Sequence, residues 1–150
     1  MACSLGLAVY TSARGSYTIS TDPNALDIDV VERFLKSSYW APNRSRSKIE
    51  RSIRTSVVFG LFEAERQVGF ARVVTDAATF AYLCDVFIDD SVRGKGLGKW
   101  LIRVVLDHPD LQGMRRWLLA TRDAHSLYAQ YGFVELSNPA AWMEVVDPTL

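Results

Sequence analysis

Apolar residues recur along this chain with two different periods. Ile28, Val31, Phe34 and Leu35 return at helical spacing, which predicts an amphipathic helix over roughly Ala25 to Ser38. A short β-prone run, Tyr17 to Thr21, precedes it, and Asp22-Pro23-Asn24 between them is a turn or helix-start signal. Tyr39-Trp40-Ala41-Pro42-Asn43 breaks the helical pattern, and a second short helix is expected over Ser47 to Ile53. From Ser56 the chain turns β-branched and aromatic. Ser56 to Glu63 and Val68 to Thr75, joined by the polar turn Glu65-Arg66-Gln67, read as a β-hairpin. Phe80 to Ile88 is apolar on both faces except for Asp85, as suits a strand inside a sheet.

After the loop Asp89 to Arg93, the residues Leu97, Trp100, Leu101, Val104 and Val105 define the core face of a strong helix, which His108-Pro109 stops. Arg116 to Ala120 reads as a short buried strand, and Ala124 to Tyr131 as a helix with Gly132 as its terminating residue. Phe133 to Leu136 and Trp142 to Val146 read as two closing strands. The order β-α-α-β-β-β-α-β-α-β-β implies a mixed α/β (α+β) domain with a largely antiparallel first half, not the strict alternation of a doubly wound fold. The start, Met1 to Tyr10, is mildly apolar without a basic region and does not read as a signal peptide; residues 1–15 are expected to be a flexible tail or an extra edge strand.

Composition changes this picture little. The 150 residues suit one domain with one core, and 49% hydrophobic with 23% charged residues argues against disorder. Seventeen basic residues balance seventeen acidic ones, which gives no reason to expect nucleic-acid or acidic-membrane binding. Arg44, Arg46, Lys48, Arg51 and Arg54 form one basic stretch, read as a solvated helix face in preference to a site for an anionic substrate. The two cysteines, Cys3 and Cys84, form neither a disulfide framework nor a metal-ligand spacing, and a cytoplasmic setting without a metal is the simplest expectation. No apolar run approaches the ~20 residues that span a bilayer.

The chemistry concentrates in Val86 to Gly98, VFIDDSVRGKGLG. A buried strand ends, a polar loop follows, and a glycine-rich turn opens an amphipathic helix. The first amides of a helix lack internal partners, the helix dipole adds partial positive charge there, and glycines let backbone approach phosphate oxygens. Arg93 and Lys95 add full charges. A pyrophosphate is the expected occupant of Arg93, Gly94, Lys95, Gly96, Leu97 and Gly98. The segment fits neither a P-loop, since Gly98-Lys99 is followed by Trp100, nor GxGxxG, since Lys99 holds the third glycine's place.

Arg93, Gly96 and Gly98 match the (Arg/Gln)-x-x-Gly-x-(Gly/Ala) signature of the GNAT N-acetyltransferases, and Ala124-His125-Ser126-Leu127-Tyr128-Ala129-Gln130-Tyr131-Gly132-Phe133 resembles that family's Ala-x-x-Leu-Tyr-x-x-x-Gly-Phe segment. The resemblance runs from about Ser56 to Val146. It implies the GNAT fold, a central twisted and mostly antiparallel sheet with helices on both faces, opening between the fourth and fifth strands to admit acetyl-CoA. It implies that the backbone of Val86, Phe87 and Ile88 pairs with the pantetheine amides and polarises the thioester carbonyl. Tyr128 would be the general acid that protonates the leaving thiolate. Thr121 stands where the family often has an Asn that contacts the pantetheine arm, which weakens that contact.

Asp85, the one charge in its strand, is a candidate base or ammonium ligand, with a strand-edge salt bridge as the equal alternative. His125 and Glu63 are lesser candidates for the base. Tyr39 and Trp40 read as a core anchor; by resemblance, the connection they occupy walls the acceptor site. The implied function is acetyl transfer from acetyl-CoA to a primary amine, preferably of a small molecule, by direct attack through a tetrahedral intermediate with Cys84 dispensable. A protein lysine or N-terminal acetyltransferase, a non-catalytic acyl-CoA sensor and a nucleotide-phosphate binder are the alternatives. Homodimers recur in the family, but no feature of the sequence requires one.

Overall fold

The computed structural model describes residues 5–149. These fall into two compact units, one ending at Leu119 and the other beginning at Ala120. The first holds a six-stranded sheet in sequence order, β1 (Thr11–Arg14), β2 (Tyr17–Ser20), β3 (Val57–Glu63), β4 (Arg66–Thr75), β5 (Phe80–Ile88) and β6 (Arg116–Leu119). Every neighbouring pair is antiparallel except β5 and β6, which run parallel. A parallel pair needs a crossover, and helix α3 (Leu97–Leu106) supplies it. Helices α1 (Ile28–Ser37) and α2 (Arg46–Arg54) lie between β2 and β3 in the chain. The fold is mixed α+β, an open sheet flanked by helices.

Alternation along β3 and β4 assigns the helices to faces. Val58 and Phe62 of β3 and Phe70 of β4 pack with Val31 and Leu35 of α1 and Ile49 and Ile53 of α2. The intervening residue Phe59 points to the other face, where its ring meets His108, just past the end of α3, edge-on at 5.6 Å. Both helices of the first face start on side-chain caps. The Asp27 carboxylate accepts from the amides of Asp29 and Val30, and the Ser45 hydroxyl accepts from that of Lys48.

The first helix is also tied to the sheet. Gln67 is buried, accepts the Asp27 amide at 2.7 Å through Oε1 and donates to the Gly69 carbonyl at 3.2 Å through Nε2. It sits where β4 carries one residue more than β3, since Leu61 pairs with Gly69 while Phe62 pairs with Gln67. One side chain therefore satisfies a backbone donor at the helix start and an acceptor at a bulge.

Residues 11–14 are an edge strand, paired antiparallel to β2, while residues 1–4, with Cys3, lie outside the described residues. In the second unit, helix α4 (His125–Ala129) is shorter than its sequence pattern. Gly132 ends it at φ +88°, with Gly132 N–H donating to the Ala129 carbonyl and Phe133 N–H to the Tyr128 carbonyl. This is a Schellman closure, and it brings the Phe133 ring edge-on to Tyr128 at 5.9 Å.

The two closing strands are a correction. Neither Phe133–Leu136 nor Trp142–Val146 is a strand. Val134, Met143 and Val145 are 87%, 97% and 99% exposed, so neither run has the apolar face or the ladder that β structure requires. Asn138-Pro139 and a single 3₁₀ turn, Pro139–Ala141, interrupt the segment between them.

Replacing Gln67 with Leu removes the side-chain partner of the Asp27 amide and of the buried Gly69 carbonyl. Urea unfolding is expected to show a loss of about 1–3 kcal/mol at an unchanged m value.

Candidate functional site

Strand β5 is held on one side by β4 over Ala81 to Ile88, but β6 pairs with it only from Phe80 to Leu83. Beyond Leu83, the edge that faced β6 carries no strand among the described residues. Cys84 to Ile88 thus present one row of backbone donors and acceptors sideways, partly buried, leading directly into the glycine-rich turn. An extended chain containing amides can add to such an edge as a further strand would.

The turn prepares the start of α3 for an anion. Gly94 and Gly96 take φ +78° and +73°, which side chains rarely adopt, and a Cβ at Gly94 would meet nothing within 4 Å. Gly96 is the N-cap and, being glycine, contributes no capping side chain. The first helical bond is Trp100 N–H to the Gly96 carbonyl, so the amides of Leu97 and Gly98 precede the helical ladder. The cations around this turn rest on protein partners. Arg93 pairs with Asp90 at 2.9 Å and donates through Nε to the Ile88 carbonyl at 3.3 Å. Lys95 donates to the Tyr17 hydroxyl at 3.0 Å, and that contact raises its pKa. Arg14 of β1 donates weakly to the Gly96 carbonyl at 3.5 Å, with its guanidinium 5.9 Å from the Trp100 ring centre. Uncapped amides, glycines without Cβ atoms and three cations form a donor set that fits a pyrophosphate.

Asp85 stands at the irregular point of β5. Phe70 pairs with Phe87 and Arg72 with Cys84, so Ala71 alone opposes Asp85 and Val86. The extra residue is accommodated by Asp85 at φ +54°, a conformation that Asp and Asn tolerate better than most side chains. Its carboxylate turns to the α1–α2 face. There Oδ2 accepts from Arg44 Nη1 at 2.6 Å and from Arg72 Nε at 2.8 Å, and Oδ1 accepts from Trp40 Nε1 at 3.0 Å. Arg72 reaches on to the Ser56 hydroxyl at 3.1 Å. Burial pushes the Asp85 carboxyl up, but the charge of Arg72 and then that of Arg44, with their hydrogen bonds, outweigh it and hold it below the usual carboxylate range. A carboxylate so occupied is a weak proton acceptor and a strong anchor. Cys84 beside it is half-buried, and desolvation pushes its thiol up to about 11.

Asp85, Val86, Phe87, Ile88, Arg93, Gly94, Lys95, Gly96, Leu97 and Gly98 therefore lie on one continuous strand–turn–helix path. Phe87 turns its ring into the core, stacked on Phe34 at 3.8 Å. Thr121 and Tyr128 belong to the second unit. There the Thr121 hydroxyl accepts the Ala124 amide at 3.0 Å, and Tyr128 is buried in α4. His125 is exposed on α4. Glu63 is engaged by Arg66 and by the Tyr17 hydroxyl, which hold its carboxyl low. The pattern reading missed Arg72, Arg44 and Arg14. Arg72 had a signal, being the one charge inside Val68 to Thr75 as Asp85 is inside Phe80 to Ile88, and two such residues on neighbouring strands invite pairing. Arg44 was concealed in its basic stretch, and Arg14 in a run with no apolar pattern. Among the described residues no His, Cys, Asp or Glu cluster of metal-binding form occurs, and no helix is long and apolar enough to cross a membrane.

The family model for the acetyltransferase (GNAT) domain matches residues 54–135. A candidate acetyltransferase of Gibberella zeae is 32% identical over 140 residues, covering 78% of each chain. The crystal structure of a candidate GNAT-family acetyltransferase from Xanthomonas campestris pv. campestris is 46% identical, covers 92% of this chain and 98% of its own, and superposes with a TM-score of 0.88. An acetyltransferase from Clostridium acetobutylicum, solved with acetyl-CoA, shares the fold at 15% identity with a TM-score of 0.65 over 87% of this chain and 94% of its own. The chain belongs to the GNAT acetyltransferase family.

Asn tolerates the Asp85 backbone conformation, so Asp85→Asn removes the charge without adding backbone strain. It leaves two guanidinium groups facing each other, and a loss of about 3–5 kcal/mol is expected in chemical denaturation. The pH dependence carries the same signature. The folded pKa of Asp85 lies below its unfolded value of ~3.9. Its stabilisation is therefore complete above that value and is lost as pH falls through the folded pKa. Wild-type stability is expected to decline below about pH 4 with a contribution that Asp85→Asn lacks.

Proposed function

We propose that this protein is an N-acetyltransferase that moves an acetyl group from acetyl-CoA to the primary amine of a small molecule. The observation that carries this reading is the continuity of the β5 edge that β6 leaves unpaired with the uncapped start of α3. The edge suits the amides of a pantetheine arm, and the turn suits the pyrophosphate to which that arm is joined. Acetyl-CoA supplies the activated thioester.

The chain's own groups then have separable tasks. The amides of Leu97 and Gly98, with Arg93, Lys95 and Arg14, neutralise the phosphates. Donors on the Val86–Ile88 edge orient the thioester carbonyl and stabilise the negative charge that develops on its oxygen when the amine attacks. The amine proton passes to water at the open edge. Asp85 holds Arg44 and Arg72 in place and does not take that proton. The family resemblance of the Tyr128 segment supports Tyr128 as the group that protonates the departing thiolate, with solvent restoring its proton. Thr121 supports α4 through its bond to Ala124 and adds to cofactor binding only indirectly. No covalent acetyl-enzyme is required, and the raised pKa of Cys84 keeps its thiol protonated near neutral pH, which suits a bystander.

Calorimetric titration with acetyl-CoA tests the cradle. Gly98 is the better position to challenge, since a Cβ there meets only Ile88 Cγ1 at 3.6 Å and its φ is ordinary. Gly98→Glu is expected to weaken acetyl-CoA by at least about tenfold at an unchanged Tm, by placing a negative charge at the helix start. Absence of binding by the wild type would sink the reading. In a thiol-release assay with an accepted amine, Cys84→Ser is expected to turn over as the wild type does. Tyr128→Phe is expected to lower kcat by roughly a hundredfold with little change in acetyl-CoA affinity.

A further inference from the structure

The cluster beneath the α1–α2 connection carries more positive than negative charge. Arg44 and Arg72 share a single carboxylate, Asp85, and among the described residues no other carboxylate pairs with either of them. Arg46, two positions along, is by contrast fully balanced by Asp29, Glu32 and Glu50. The surplus is also largely withdrawn from solvent, with the side chains of Arg44 and Arg72 24% and 12% exposed. Desolvated charge without a counter-ion is unfavourable, so the place is built to share an anion. Each guanidinium has N–H groups beyond those given to Asp85 and Ser56. Trp40 and Tyr39 stand exposed on the same connection.

The position of this surplus matters as much as its sign. Asp85 is the residue next to the Val86–Ile88 edge, and successive strand residues are ~3.3 Å apart. An anion on the arginines is therefore a few bonds from an amine placed at that edge. The excess is one charge, which suits a monoanion, and a guanidinium fork matches the planar oxygens of a carboxylate.

We propose that Arg44 and Arg72 bind the carboxylate of the acceptor, so that the amine acetylated here belongs to a free amino acid, with Tyr39 and Trp40 flanking its side chain. This rests on the acetyl-transfer reading above and narrows its substrate class. It also departs from the sequence pattern, in which the basic stretch reads as a solvated face. Arg46 fits that reading, and Arg44 does not.

The test uses the protein saturated with coenzyme A and titrated with phenylacetate and phenylacetamide, which differ in charge and hardly in shape. Phenylacetate is expected to bind roughly ten- to a hundredfold more tightly. The preference should collapse in Arg44→Gln, survive in part in Arg44→Lys and persist in Arg46→Gln. Asp85 keeps its bond to Arg72 in the Arg44 variants, and their coenzyme A affinity serves as the control for folding. In turnover, phenylalanine should show a KM lower than that of 2-phenylethylamine by a similar factor. Equal binding of the two probes overturns the proposal, as does a preference that Arg44→Gln leaves unchanged, or tighter binding of phenyl phosphate than of phenylacetate. Failure of coenzyme A itself to bind removes the transferase reading and this substrate class with it. Normal coenzyme A binding without a carboxylate preference removes the substrate class alone.

Discussion

Between Cys84 and Phe87, strand β5 carries one residue more than the strand it pairs with, and the fate of that residue governs this end of the sheet. In an unbroken register Asp85 would lie opposite Ala71 and Phe87 opposite Gly69, both on the α3 side. The bulge reverses the phase, because a shift of one position moves every later side chain to the other face. Phe87 is thereby delivered to Phe34 and Phe70, and Asp85 to Arg72. The left-handed backbone at Asp85 costs about 1–2 kcal/mol, less for Asp than for most side chains.

The same carboxylate ties the α1–α2 connection down. Trp40 and Arg44 come from that connection and Arg72 from the sheet, and all three converge on Asp85. The anchor sits beside the stretch of β5 that β6 leaves uncovered. A rigid point thus adjoins an edge to which no strand pairs among the described residues, and that edge runs into a glycine turn. In the proposed function, acceptor, thioester and phosphates would follow this one path in order, which is why the backbone geometry at Asp85 bears on chemistry several residues away.

Much of this was legible in the sequence, and the parts that were not have physical causes. Helix α3 declares itself by its regular buried face, and strands β3 to β5 by their continuous apolar, β-branched and aromatic runs. Strand β1, Thr-Ser-Ala-Arg, has no apolar alternation and exists through its ladder with β2. The bulge is invisible because burial still alternates through it. Ala81, Leu83, Asp85 and Phe87 are all buried, but against different helices before and after the slip. Asp85 and Arg72 are each conspicuous as lone charges, yet only the register shows that they meet. The runs at Phe133 and Trp142 illustrate the opposite error, since local β preference gives a strand only where a partner edge exists. Their neighbour Gly132 was readable because a helix end is a local event.

The cations at the glycine turn are already in use. Arg93 leans on Asp90, Lys95 on the Tyr17 hydroxyl, and Arg14 on the Gly96 carbonyl. In the proposed function, a phosphate arriving there would trade some of these contacts for its own and gain only the difference. Those internal contacts would then re-form behind the departing carrier, and the protein itself would assist its escape. A turn arranged in this way favours rapid cycling over tight retention.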